Sequence, residues 1–127
     1  MSEPTIPDSG SRDSFETGAV RDIVEGKPRP SLLPPMVYKR LALRATEGAT
    51  KYSDHNWAKG IPFSRYVDAI QRHLWQYLEG DGTEDHLAAV MWNAGALMWT
   101  EDQVQEELLP PEMDDLVNWD NPEFNNE

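Results

Sequence analysis

Apolar residues recur at helical spacing in three stretches of the chain, and no stretch alternates apolar and polar positions as a half-buried strand does. Met36, Val37, Leu41, Ala42 and Ala45 fall near one helical face. Pro34-Pro35 can open this helix, because a proline's missing N–H costs nothing in a first turn, and Gly48 can end it. The first helix is expected over 36–47. Ser64 is a natural N-cap for a second helix over 65–79, in which Val67, Ile70, Leu74, Tyr77 and Leu78 make a buried stripe. After the break at Gly80-Asp81-Gly82, Thr83 can cap a third helix, with Glu84 and Asp85 placed well for its dipole. Leu87, Val90, Met91, Ala94, Leu97 and Met98 would be its core face, and it would run to about Glu107, before Pro110-Pro111.

The flanks read differently. Residues 1–14 are rich in Ser, Pro, Gly and acids and read as a disordered arm. From Phe15 to Pro35, prolines forbid a long helix, and the segment reads as an extended strap laid across the domain. The loop 49–60 is polar and aromatic without period, the texture of a segment that contacts something. The fold class is therefore all-α: a helical domain over 15–107, with the arm before it and an acidic tail over 108–127.

Charge sharpens this division. The chain has 127 residues and a formal net charge of −12. Residues 1–19 carry four acids and one base, residues 20–72 five acids and ten bases, and residues 73–127 fourteen acids with no Lys or Arg. So acidic a chain does not bind nucleic acid through a basic surface, and its basic middle points to an anionic ligand. With no cysteine there is no disulfide, thiolate site or Cys nucleophile, so any metal is held by oxygen or histidine. No apolar run reaches membrane-span length and the N-terminus has no signal-peptide pattern, so a soluble, cytoplasmic protein is expected.

Asp68, Arg72 and Glu79 share one side of the second helix, and Glu79 with Asp81, Glu84 or Asp85 could form an oxygen cage for Mg²⁺. His73 lies at the edge of the apolar stripe, while His86 and Asn93 share a line on the third helix, so a polar network is expected between the two. Lys51, Tyr52, Trp57 and Lys59 place cations beside aromatic rings, which suits a nucleotide, and Arg21, Lys27 and Arg29 add to the positive charge. Walker A, Gly-x-Ser-x-Gly and His-Glu-x-x-His patterns do not occur.

The order of the motifs then carries a resemblance. They are Thr17-Gly18-Ala19-Val20-Arg21-Asp22, Gly26-Lys27-Pro28-Arg29, Leu32-Leu33-Pro34-Pro35, Glu47-Gly48-Ala49-x-Lys51-Tyr52, Asn56-Trp57-x-Lys59-Gly60, Arg72-His73-Leu74 and Glu84-Asp85-His86-Leu87-Ala88-Ala89-x-x-Trp92-Asn93. The series resembles the dATP/dGTP diphosphohydrolase N-terminal domain family, phage proteins similar to all-α MazG-type pyrophosphohydrolases. The resemblance implies metal-dependent hydrolysis of a purine deoxynucleoside triphosphate to monophosphate and pyrophosphate, in control of a phage nucleotide pool. It implies Glu79, Asp85, His86 and His73 as catalytic groups, and Glu47, Glu79 and Asp85 as ligands of Mg²⁺ or Mn²⁺. Arg21, Lys27, Arg29, Lys51, Lys59 and Arg72 would hold phosphate, with Tyr52, Asn56, Trp57 and Asn93 near base or sugar. MazG-type enzymes carry Glu-x-x-Glu on one helix and Glu-x-x-Asp on the next, and the second and third helices here carry neither. Two other readings stay open: a protein that binds nucleotides or signalling molecules without turnover, and an acidic DNA mimic acting on a host protein. The small residues Ala88, Ala89, Ala94, Gly95 and Ala96 suit close helix packing, and a homo-oligomer is expected.

Overall fold

The computed structural model describes residues 5–120 and 123. Residues 1–4 of the expected arm, and 121, 122 and 124–127 of the expected tail, Phe124 among them, lie outside the described residues. The chain divides into two compact units, Met1–Leu33 and Pro34–Glu127.

In the first unit, β1 (Arg12–Ser14) pairs antiparallel with β2 (Val20–Asp22), Arg12 opposite Asp22 and Ser14 opposite Val20. Its tight turn is built by Gly18, at φ 87°, whose N–H donates to Phe15 O at 2.9 Å while Phe15 N–H donates to Ala19 O at 3.0 Å. A left-handed residue closing a short loop favours glycine, which explains the Thr17-Gly18 pair. Charges hold the ends. Asp22 accepts from the Ser9 hydroxyl and lies 3.4 Å from Arg12 and 3.6 Å from Lys27. Asp8 binds the Arg12 guanidinium at 2.7 Å, which lowers its pKa to about 2. This hairpin was not legible from residue pattern, because three-residue strands are too short to show alternation. A single 3-10 turn, Pro30–Leu32, follows.

The second unit is helical, as the periodicity requires. α1 spans Pro35–Lys51, α2 spans Phe63–Leu78 and α3 spans His86–Gln105. Pro34 caps α1 and Pro35 is its first residue. Gly48 does not end it: α1 runs on to Lys51, and the Tyr52 N–H closes it on Gly48 O. A lone helical glycine costs propensity but breaks nothing unless the chain needs a left-handed exit there.

α2 begins at Phe63 after Pro62, so Ser64 is inside the helix rather than its cap. Its first turn is satisfied from a distance. Asp115 accepts from Ser64 N at 2.8 Å and from Ser64 Oγ at 2.6 Å, which lowers its pKa, so part of the acidic tail acts as a cap. α2 ends in a Schellman turn with Gly80 at φ 83°; Gly80 N–H donates to Tyr77 O and Asp81 N–H to Gln76 O. The cap of α3 is Asp85 instead of Thr83, its carboxylate accepting from Ala88 N at 3.1 Å.

The apolar stripe expected on α2 is not the buried one. Phe63 and Tyr66 are buried, whereas Leu74, Tyr77 and Leu78 are exposed, Leu78 at 73%. On α3 the buried positions are His86, Ala88, Ala89, Ala96 and Thr100, while Leu87, Met91 and Met98 are exposed. The reason is size: alanines let α2 approach α3 closely, so the contact follows the row His86, Ala89, Asn93, Ala96, Thr100, spaced three and four apart. Leu87, Met91 and Met98 lie beside this row and stay partly exposed. α1 packs on α3 as well, with Val37 and Leu41 across from Leu87, Val90 and Met91.

Candidate metal and phosphate site

The turn between α2 and α3 brings Asp81, Glu84 and His86 together with His73 of α2. Asp81 folds back on its own loop, accepting from Thr83 N at 3.0 Å and Thr83 Oγ at 3.1 Å, and these bonds, with one from His86, hold its carboxyl below the usual range. Its second task is to receive His86 Nε2 at 2.9 Å. His86 opens α3 with its side chain only 1% exposed, and its other ring nitrogen, Nδ1, faces Nδ1 of His73 at 2.9 Å. Burial pushes the pKa of His73 down, so a neutral imidazole is favoured there. Glu84 Oε1 lies 3.4 Å from His73 Nδ1 and 4.0 Å from His86 Nδ1. His73, Glu84 and His86 thus offer ligand atoms close enough to hold one divalent metal ion.

A second layer of charge comes from α1. Arg40, Arg44 and Glu47 stand at helical spacing on one face. Arg40 binds Asp85 through Nε at 2.7 Å and Nη2 at 2.6 Å, and this guanidinium is the main reason the Asp85 pKa falls to about 2. Arg44 lies 3.1 Å from Glu84 and 3.4 Å from Glu47. Two guanidinium groups of α1 therefore face the carboxylates of Asp85 and Glu84 just before α3.

Of the residues singled out in the sequence, the structure brings His73, His86 and Asp85 to this region, and Arg44 links it to Glu47. Glu79 caps the end of α2, exposed, and is not among the clustered metal-ligand groups of the described residues. Arg72 is exposed, and Asn93 donates to Ala89 O of its own helix at 2.7 Å. In the loop after α1, the Lys51 ammonium sits 5.2 Å from the Tyr52 ring, and Asn56 and Lys59 lie in a 3-10 turn, Asn56–Lys59. Trp57 turns inward, its ring edge-on to Trp99 at 4.9 Å. Gly60, at φ 101°, closes this loop where a Cβ would come within 3.2 Å of Leu109. Arg21, Lys27 and Arg29 belong to the N-terminal unit, Lys27 pairing with Asp22.

Sequence reading missed Arg40 and Arg44. Their spacing of four on one helix was visible, but nothing in it showed that this face meets the start of α3. No described helix is long and apolar enough to cross a membrane.

A family model described as dATP/dGTP diphosphohydrolase, N-terminal, matches residues 17–109. No curated protein and no solved structure matches the chain.

Proposed function

The chain belongs to the dATP/dGTP diphosphohydrolase N-terminal family, and from that premise we propose that it is a metal-dependent pyrophosphohydrolase of purine deoxynucleoside triphosphates. Its products would be a deoxynucleoside monophosphate and pyrophosphate. In a phage-infected cell such a reaction would remove a purine triphosphate from the pool available to replication.

The observation that carries this reading is the set of ion pairs Arg40–Asp85, Arg44–Glu84 and Arg44–Glu47. A magnesium triphosphate offers both a cation for such carboxylates and anionic oxygens for such guanidinium groups. Carboxylates are the ligands that Mg²⁺ or Mn²⁺ prefers, and Glu47, Glu84 and Asp85 already accept a cation, the guanidinium, on their oxygens. The three do not stand as a cluster of metal ligands among the described residues, so a hard divalent ion would be held by Asp85 together with the triphosphate's own oxygens. When bound, such an ion supplies charge neutralisation and an activated water.

The chain's own contribution is an exchange of partners. On arrival of the nucleotide, Arg40 and Arg44 turn from carboxylate to phosphate oxygens, which they bind with the same forked geometry. Asp85, so released, would be the side chain to hold the cation, which would supply charge neutralisation there. Lys51, the last residue of α1, and Lys59, in the turn after it, would add positive charge, and Tyr52 would offer an exposed ring for the base. No formal charge need be buried uncompensated in either state.

A second reading, nucleotide binding without turnover, is favoured by one observation: neither α2 nor α3 carries the paired Glu-x-x-Glu and Glu-x-x-Asp of MazG-type enzymes. The test is a panel of deoxy- and ribonucleoside triphosphates incubated with Mg²⁺, Mn²⁺ or EDTA and resolved by ion exchange. Monophosphate lost in EDTA supports the enzyme; tight binding with intact nucleotide supports the binder.

A further inference from the structure

We propose that His73, His86 and Glu84 form a binding site for one transition-metal ion, held by the two Nδ1 atoms and a Glu84 carboxylate oxygen, with Asp81 as the outer carboxylate that orients His86. This does not rest on the nucleotide reading, and it concerns a resident ion other than the one carried by a triphosphate.

Geometry is the first argument. Ligand atoms about 2.1 Å from a shared ion stand about 3.0 Å apart at a right angle and about 3.4 Å apart at a tetrahedral angle. The two Nδ1 atoms are 2.9 Å apart, and Glu84 Oε1 is 3.4 Å from His73 Nδ1 and 4.0 Å from His86 Nδ1. A small movement of Glu84 alone completes the set.

The outer contact of His86 points the same way. A metal-bound imidazole ordinarily donates its other N–H to a carboxylate, which fixes tautomer and ring direction. His86 Nε2 meets Asp81 Oδ2 at 2.9 Å, and Asp81 is fixed in turn by Thr83. With the proton on Nε2, the lone pair of His86 Nδ1 faces His73, whose Nδ1–H donates to it; with His73 Nδ1 on a metal, that proton would sit on His73 Nε2 and the imidazole would stay neutral.

Donor chemistry is the third. Two imidazoles and one carboxylate suit Zn²⁺, Co²⁺ or Ni²⁺ far better than Mg²⁺, which prefers oxygen. Access is open on one side only: His86 is 1% exposed, whereas Glu84 is 38% exposed and is held by Arg44, which an incoming cation would displace.

The experiment uses the untagged full chain, stripped with EDTA. Co²⁺ is titrated and its visible ligand-field absorption followed, and Zn²⁺ and Mg²⁺ are compared by calorimetry. One ion per chain is expected, with Zn²⁺ bound at least ~100-fold more tightly than Mg²⁺. Asp81→Asn should weaken Zn²⁺ by about 10–100-fold, His73→Gln and Glu84→Gln by at least as much, and Asp68→Asn on the exposed side of α2 not at all. Because His86→Gln alters a buried side chain and can fail to fold, His73→Gln and Glu84→Gln, checked by circular dichroism, decide the matter. Absence of saturable Co²⁺ absorption, equal affinity for Zn²⁺ and Mg²⁺, or isotherms unchanged in both variants (an adventitious ion only) would overturn the site.

Discussion

Arg40 on α1 grips Asp85 at the head of α3 through two hydrogen bonds, 2.7 and 2.6 Å long. The same carboxylate caps α3 by accepting from Ala88 N, so one side chain both starts a helix and ties it to its neighbour. Asp85→Ala should lose about 1–2 kcal/mol of stability, the scale of a lost N-cap. Arg40→Ala should lose less, since the cap survives and the pair is partly solvent-exposed. Urea denaturation with an unchanged m-value would measure both. If the function is as proposed, Arg40→Ala also weakens nucleotide binding beyond its effect on folding.

Asp115 makes the same kind of contact with Ser64 across 51 residues. Its pKa is lowered chiefly by the Ser64 hydroxyl and then by the Ser64 N–H. A carboxyl depressed in the folded state contributes stability that is present above the usual carboxylate pKa and is lost as pH falls below about 4. Asp115→Asn should therefore lower the melting temperature by a few degrees at pH 7 and make little difference at pH 3. Thermal melts at the two pH values check the sign.

Two residues past α3, Glu107 stands at φ 60° in a Schellman turn where Leu108 N–H donates to Gln103 O at 2.8 Å. A side chain in the left-handed region is strained, and glycine is the usual residue at that position. Glu107→Gly should raise stability by about 0.5–1 kcal/mol, read by the midpoint of urea denaturation. A loss of stability would show that the Glu107 side chain makes a contact worth more than its backbone strain.

Much of this architecture was legible in the sequence, and the exceptions have physical causes. The three helices followed from apolar spacing and from Pro34-Pro35, Gly80 and Pro110-Pro111, because those residues act locally. The buried face of α2 did not. Periodicity ranks residues by hydrophobicity, whereas Ala89 and Ala96 decide which line of α2 can come near, placing Phe63 and Tyr66 inside and Leu74 and Leu78 outside. The expected network between α2 and α3 is present in His73 and His86, since two histidines near one seam must find partners. Arg40, Arg44 and the Asp115 cap were not legible, because each depends on where a distant segment returns.

The outward residues carry a prediction of their own. Trp75 at 61% exposed, Leu78 at 73% and Met98 at 63% leave a helical unit with a thin core, and a second copy of the chain is the partner proposed for them. Light scattering after size exclusion should give a dimer or larger species, and Leu78→Glu with Met98→Glu should shift it toward monomer. A folded wild-type monomer would contradict the proposal.

Pyrophosphohydrolysis is tested most directly by phosphorus NMR of dGTP and dATP incubated with the purified chain and Mg²⁺ or Mn²⁺. Pyrophosphate and the deoxynucleoside monophosphate should grow together, in equal amounts, and vanish with EDTA. Orthophosphate with a diphosphate, or unchanged triphosphate beside protein that is folded and metal-replete, would contradict it.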